Sequence, residues 1–289
     1  MKNVLYIFFT LVCFTQFSFA QDILDGAYKK DIRDGSNERL IQPYQHVREA
    51  DVMWSTKIER VIDLREKMNQ VFYYPIRPIN DRKNLIDVLI DAIKEGTITA
   101  YDARQGDEFK SPFSATEAQN IGLMVLGIPQ SYTLPQIDPD TGEEIIIIVE
   151  NNFDDFKHNV KKYRIKEEWF FDKQRSVMEV RIIGICPIID KYNEDGDALL
   201  GEVDLFWVYY PEARKVFSKA EVFNHRKNDA ARLTFDDIFH KRFFSSRIVK
   251  ESNKYDRSID QYKQGLDALL ESEKIKEEIF NLEHDLWEY

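Results

Sequence analysis

The 289-residue chain carries 51 Asp and Glu against 40 Lys and Arg, so carboxylates are where chemistry must first be sought. Glycoside hydrolysis needs only two of them across a sugar cleft, and the 20 Phe, 14 Tyr and 4 Trp are residues that line such clefts. A soluble periplasmic carbohydrate-active hydrolase using paired carboxylates is therefore one reading. Its weakness is that so many acids pair by accident, and sequence alone brings no two of them together. The loop "KYNEDGDALLGE", Lys191 to Glu202, is better defined. With Gly196 at the sixth position of an EF-hand loop, Asn193, Asp195 and Glu202 fall where calcium takes oxygen ligands. Lys191 then stands at the first position, where a cation cannot be a ligand, and the flanks have strand character. A polar hairpin loop is the expectation; a weak calcium site at Asn193, Asp195 and Glu202, making the chain a calcium-dependent binding module, is the alternative. "DPDTGE", Asp138 to Glu143, is explained by turn chemistry.

The five histidines, His46, His158, His225, His240 and His284, lie outside helical or hairpin ligand spacing of one another, so a zinc site would need distant segments. The chain has no G-x-S-x-G elbow, no H-E-x-x-H helix, no P-loop and no G-x-G-x-x-G. Cys186 lies in the apolar run "RIIGICPII" and is expected to be a small buried hydrophobe rather than a reactive thiol. No catalytic residue and no cofactor is expected. A net charge of −11 argues against nucleic acid, which must be met by a positive surface; Lys161, Lys162, Arg164 and Lys166 around Tyr163 read as a solvated strand face.

The elements that would position these groups begin after a leader. Lys2, the apolar run "VLYIFFTLVCF" and small residues at Ser18 and Ala20 give residues 1–20 the pattern of a secretory signal peptide. Cys13 comes too early, after the bulky Val12, to be a lipidation site. No later run approaches the ~20 apolar residues of a membrane-crossing helix. An exported chain is thus expected, with a flexible arm over 21–45 and one α+β domain over 46–289.

Within that domain Ala50, Trp54, Ile58, Val61, Ile62 and Met68 recur at spacings of three, four and seven, which predicts a helix over about 47–68. Leu85, Val88, Leu89, Ala92 and Ile93 predict a second helix, capped near Asn80 or Asp81 and closed by Gly96. "TITAYD" predicts a short strand, and "SATEAQNIGLMVLG" a third helix starting near Ser114 or Thr116. "IIIIV", "KYRIKEEWFFD", "VMEVRIIGICPIID" and "EVDLFWVYY" predict neighbouring strands joined by turns, with Pro187 at an edge or bulge. Thr234 caps a helix over "FDDIFHKRFFSS". Ile259, Tyr262, Leu266, Leu269, Leu270, Ile275, Ile279 and Leu286 make an amphipathic helix of about 256–287. The fold class expected is α+β: a central antiparallel sheet of about four to six strands, N-terminal helices and a C-terminal amphipathic helix.

Two stretches, "PYQHVREADVMWSTKIERVIDLREKMNQVFYYP" and "DRKNLIDVLIDAIKEGTITAYD", resemble the gliding-motility GldN family, called PorN in non-gliding relatives. The resemblance is densest from Gln42 to Asp102 and extends in length, leader and strand-rich middle over most of the chain. It implies a non-enzymatic component of the type IX secretion system of Bacteroidetes, periplasmic and without a cofactor. It also implies assembly with a ring lipoprotein and with copies of itself beneath the outer membrane, in contact with the periplasmic part of the inner-membrane motor protein. In that light Trp54, Ile58, Val61 and Ile62 are expected in the core. Arg48, Glu49, Asp51, Arg65, Tyr73 and Tyr74 are the candidates for partner contact, since Tyr and Arg dominate interface hot spots.

Overall fold

The structure, a computed structural model, describes residues 41–79, 82–137, 144–153, 156–192, 199–223 and 232–285. From Arg39 onward the chain forms one compact unit. Its first element corrects the sequence reading: β1 is a twelve-residue strand, Val52–Asp63, not part of a helix over 47–68. The misleading signal was a spacing of four, which repeats on one side of a helix and equally on one side of a strand. Trp54, Ile58 and Ile62 share a face either way. The β-branched and aromatic composition of "VMWSTKIERVI" settles the choice toward extended backbone, as does pairing on both edges.

After a short helix α1, Gln70–Tyr73, comes α2, Leu85–Lys94, whose expected stripe is buried. Its cap is Asn84, whose side chain accepts from the Asp87 N–H, rather than Asn80 or Asp81; Gly96 ends it in the left-handed region, φ +73°, where glycine carries no Cβ penalty. Strand β2, Ala100–Asp102, follows. The predicted third helix is two, α3 at Ala115–Gln119 and α4 at Ile121–Leu126, because Asn120 leaves the helical region between them. Ser114 is the N-cap, in a reciprocal capping box with Glu117.

Strands β3, Ser131–Ile137, and β4, Glu144–Glu150, form a separate two-stranded sheet. The central strands are β5, Val160–Asp172, and β6, Val177–Tyr192. Then come β7, Leu199–Asp204, β8, Phe206–Tyr209, α5, Tyr210–Phe217, and the small β9, Glu221–Val222, and β10, Leu233–Thr234. α6, Phe235–His240, is capped by Thr234 as expected. β11, Arg247–Glu251, and α7, Leu266–Asp285, complete the fold.

The main sheet has seven strands, more than the four to six expected, in the order β11-β1-β5-β6-β8-β2 with β7 also on β6; neighbouring strands run antiparallel. Pro187 is tolerated inside it for a physical reason. Its carbonyl accepts from the Leu205 N–H, so the donor it lacks lies on that same side, where the pairing of β6 slips by one residue between β8 and β7.

Alternation gives the sheet two unlike faces. On one, Ile62, Tyr163, Ile165, Ile185 and Val208 pack with α1, α2, α5 and α6 in the main core. Ile58, Ile248, Trp54 and Trp169 form a second cluster with α7. α7 buries Ala268, Ser272, Ile275 and Ile279, whereas Leu266, Leu269, Leu270 and Phe280 are exposed. The small residues allow close approach to the edge strand β11, and the Ser272 hydroxyl accepts from the Ile248 N–H at 3.0 Å. The helix thus covers an edge that would otherwise offer a free donor to another chain. Between the two clusters lies a buried ionic group: Glu167, 0% exposed, meets Arg60 at 3.3 Å and Arg242 at 2.8 Å, with both guanidinium groups over the Trp169 ring.

Candidate functional site

Two concavities bear on function, one at the corner after β1 and one on the polar face of the sheet. The corner starts where β1 ends. Asn69 is fully buried and fully used: its amide donates to the carbonyls of Asp63 and Ser245, and its oxygen accepts from the Ser245 N–H. That clamp fixes α1, and Pro75 forces Tyr74 into extended backbone (φ −96°, ψ 146°) and ends the helix. The Tyr74–Pro75 bond is cis. Asn84, while capping α2, also donates to the Pro75 carbonyl at 3.2 Å, tying the corner to the helix behind it.

These ties shape a cleft of about 410 Å³. Leu64, Phe72, Ile86, Val160 and Tyr163, all buried, make its inner wall. Tyr73 and Tyr74 stand edge to face at 5.2 Å, with the Lys161 ammonium 5.8 Å over the Tyr73 ring. Arg77, Lys157 and His158 also line it. Lys157 is paired with Asp87 at 2.9 Å, whereas Arg77 is exposed. Burial, with the Asp87 charge nearby, pushes the Tyr163 phenol well above its ordinary value, so it stays a neutral hydroxyl. An apolar interior under a cationic rim is equipped to recognise a group.

The second concavity, about 420 Å³, lies on the opposite face of the sheet. Here Glu59 meets Lys250 at 3.2 Å, Arg164 meets Asp204 at 2.7 Å, Lys166 meets Asp107 at 2.6 Å, and Lys162 meets Glu202. Burial raises the Glu59 carboxyl above its ordinary value, against the pull of Lys250. Burial opposes ionisation of Asp107 too, but Lys166 outweighs it and holds that carboxyl low. Asp107 comes from the loop over 103–112, which Phe109 fastens to the sheet: its ring packs against Tyr101, Trp207 and Tyr209. It sits over Gly184, where a Cβ would come within 2.4 Å of the ring.

The structure separates the partner-contact candidates into two groups. Arg48 and Asp51 pair with each other at 2.7 Å, with Glu49 exposed beside them. Arg65, Tyr73 and Tyr74 follow the far end of β1, about 40 Å away for an extended twelve-residue strand. Tyr74 is 49% exposed, whereas Tyr73 is half-buried against the core. Ile58, Val61 and Ile62 are in the interior as expected and Trp54 packs partly buried on its cluster. Of the calcium candidates, Asn193 and Asp195 lie outside the described residues, as does all of "DPDTGE"; Glu202 is in β7, bound to Lys162. Cys186 is fully buried and burial pushes its thiol well up.

The sequence reading missed the cleft's other members. The basic residues around Tyr163 read as a solvated strand face, and the alternation of Tyr163 with Ile165 is the signal that those two belong to the interior. Asn84, Arg77, Lys157 and His158 carry no local signal, because they meet only through tertiary packing. The arm expectation also changes at its end: Arg214 and Arg181 donate to the carbonyls of Gln42 and Gln45, and both stack on Tyr44, so residues 42–45 lie fastened to the body.

Among the described residues no group of His, Cys, Asp and Glu is placed to hold a metal ion, and no helix is long and apolar enough to cross a membrane. Compared with known protein families, residues 47–288 match the one described as "Gliding motility associated protein GldN". No curated protein matches the chain.

Proposed function

The chain belongs to the GldN family of gliding-motility associated proteins, and from that membership we propose that it is a non-enzymatic structural subunit of the periplasmic ring of the type IX secretion system. In this reading it binds the ring lipoprotein and the periplasmic part of the inner-membrane motor protein. It is held beneath the outer membrane by those partners and supports protein secretion and gliding. The observation that carries the proposal is the family match over 47–288, which takes in nearly every element of the fold. The surfaces agree with a protein that works by contact. Tyr74, Ile76 and Ile79 are exposed at the corner, and Leu266, Leu269, Leu270 and Phe280 are exposed on α7.

The test is to purify the tagged protein with its membrane fraction and image the product. A large annular assembly containing a lipoprotein is expected, and deletion of the gene should leave secreted cargo inside the cell. A lone monomer indifferent to every envelope protein would overturn the proposal. The hydrolase reading has one observation in its favour, the neighbouring Glu59 and Asp107 carboxyls. Each is also bound to a lysine, the arrangement of a structural ion-pair lattice. Under the hydrolase reading Glu59→Gln abolishes polysaccharide cleavage with assembly intact; under ours the variant assembles and supports secretion.

A further inference from the structure

The cleft at the Tyr73–Tyr74 corner has the chemistry of a peptide socket, and the chain itself contains a segment that matches it. The volume, about 410 Å³, falls in the range that encloses one compact ligand group. Its inner wall is apolar except for Asn84, whose amide is taken up by Pro75 and Asp87, and the Tyr163 hydroxyl, which makes no hydrogen bond among the described residues. That hydroxyl lines the cleft, where an incoming polar atom can pair with it. The rim is cationic in a chain whose net charge is −11. Arg77 is exposed and makes no ion pair among the described residues, and Lys161 and His158 are its neighbours around the cleft. The rim residue Lys157 is bound to Asp87 at 2.9 Å.

The complementary ligand is therefore a short segment with a large aromatic side chain for the interior and carboxylates for the rim. Residues 283–289, "EHDLWEY", are such a segment: Trp287 and Tyr289 alternate with Glu288, after Glu283 and Asp285. In sequence they continue from α7, a helix of twenty residues that ends at Asp285. A socket on one part of the surface and its match on another make a head-to-tail contact, the kind that propagates from copy to copy.

We infer that the Tyr73–Tyr74 cleft receives residues 286–289 of a second copy of this chain, Trp287 entering the apolar interior and Glu288 meeting Arg77. This names the self-contact of the ring proposed above and rests on that reading for its role, though the contact itself can be tested apart from it.

The probe is a fluorescently labelled peptide of residues 283–289, titrated into the full chain carrying Trp287→Ala so that no intrinsic tail competes. Saturable binding is expected. Arg77→Glu, at an exposed position where folding should be unaffected by circular dichroism, weakens it at least tenfold, as loss of a hot-spot arginine does. A peptide carrying Glu288→Arg restores binding to that variant. In sedimentation of full chains, Trp287→Ala and Arg77→Glu each abolish self-association through this contact, and their mixture forms a 1:1 dimer and nothing larger, since one socket and one tail remain. Absence of peptide binding, or binding that Arg77→Glu leaves unchanged, overturns the inference even if the annular assembly forms, and then the ring reading stands alone. Peptide binding with no 1:1 dimer in the mixture also overturns it, by showing that the tail fills its own cleft or serves another partner.

Discussion

On one face of the sheet Ile58, Ile62, Tyr163 and Ile165 disappear beneath helices. One residue along the same strands, Glu59, Lys162, Arg164 and Lys166 stand in an ion-paired concavity. The helix face is held by apolar burial, worth roughly 25 cal/mol per Å², and the carboxylate of its ionic cluster, Glu167, is fully buried. The other face buries a small apolar group, Val61, Ile188 and Val249, and carries charge pairs, of which those open to water, such as Lys162 with Glu202, are each worth about 0–1 kcal/mol. Adjacent residues of one strand therefore contribute to stability by mechanisms that differ in size and in sensitivity to salt and pH.

The largest effect is expected where charge has been forced into the helix face. Glu167→Ala leaves Arg60 and Arg242 facing one another without their carboxylate, and should cost about 3–5 kcal/mol in urea unfolding. Replacing all three by apolar residues of similar volume should cost far less; equal losses in the two variants would break the contrast drawn here. On the open face the strongest tie is steric. Gly184→Ala drives Phe109 from its seat and should cost about 1–3 kcal/mol, with faster hydrogen exchange confined to residues 103–112. Exchange that quickened in α2 or α6 instead would mean that the loop is part of the main core.

Charge pairs of the open face should matter least. Lys162→Ala breaks the contact with Glu202, itself 44% exposed, and is expected to change stability by about 1 kcal/mol or less, a difference that vanishes at high salt. A larger, salt-insensitive loss would place this pair energetically with Glu167. The smallest effect is a pH profile. Burial raises Glu59 above its unfolded value of 4.5, so the folded chain binds this proton more tightly. The resulting stabilisation is fully present below 4.5 and is lost as pH rises through the raised value. Glu59→Gln should therefore flatten that segment of the stability curve, and parallel curves for the two proteins would show that Glu59 ionises as freely folded as unfolded.

How much of this was legible in the sequence depends on whether the signal was local. Helix α2, its Gly96 terminus, the Thr234 cap and the strand character of β5 and β6 follow from spacing and capping chemistry within a dozen residues, and appear as expected. The stretch 47–68 failed because apolar spacing of four is shared by two periods. The C-terminal helix, expected over about 256–287, starts only at Leu266, and of the expected stripe within it Ile275 and Ile279 are buried whereas Leu266, Leu269 and Leu270 are exposed. Contact with an edge strand selected Ala268 and Ser272, and leucines a sequence pattern would bury were left exposed.

By itself the sequence determined the fold class, the family-bearing stretches, the acid-rich character and the interior place of Ile58, Ile62 and Cys186, all properties carried by residue type and short-range order. Tertiary structure decided what no local window contains: that Arg60, Glu167 and Arg242 share one enclosed cluster, that Ser272 guards β11, and that Tyr73, Arg77, Lys157 and Tyr163 surround one cleft. Each group joins segments that lie tens to nearly two hundred residues apart along the chain. Their meeting depends on strand order and register, which are set by the packing of the whole sheet against its helices rather than by the residues that meet.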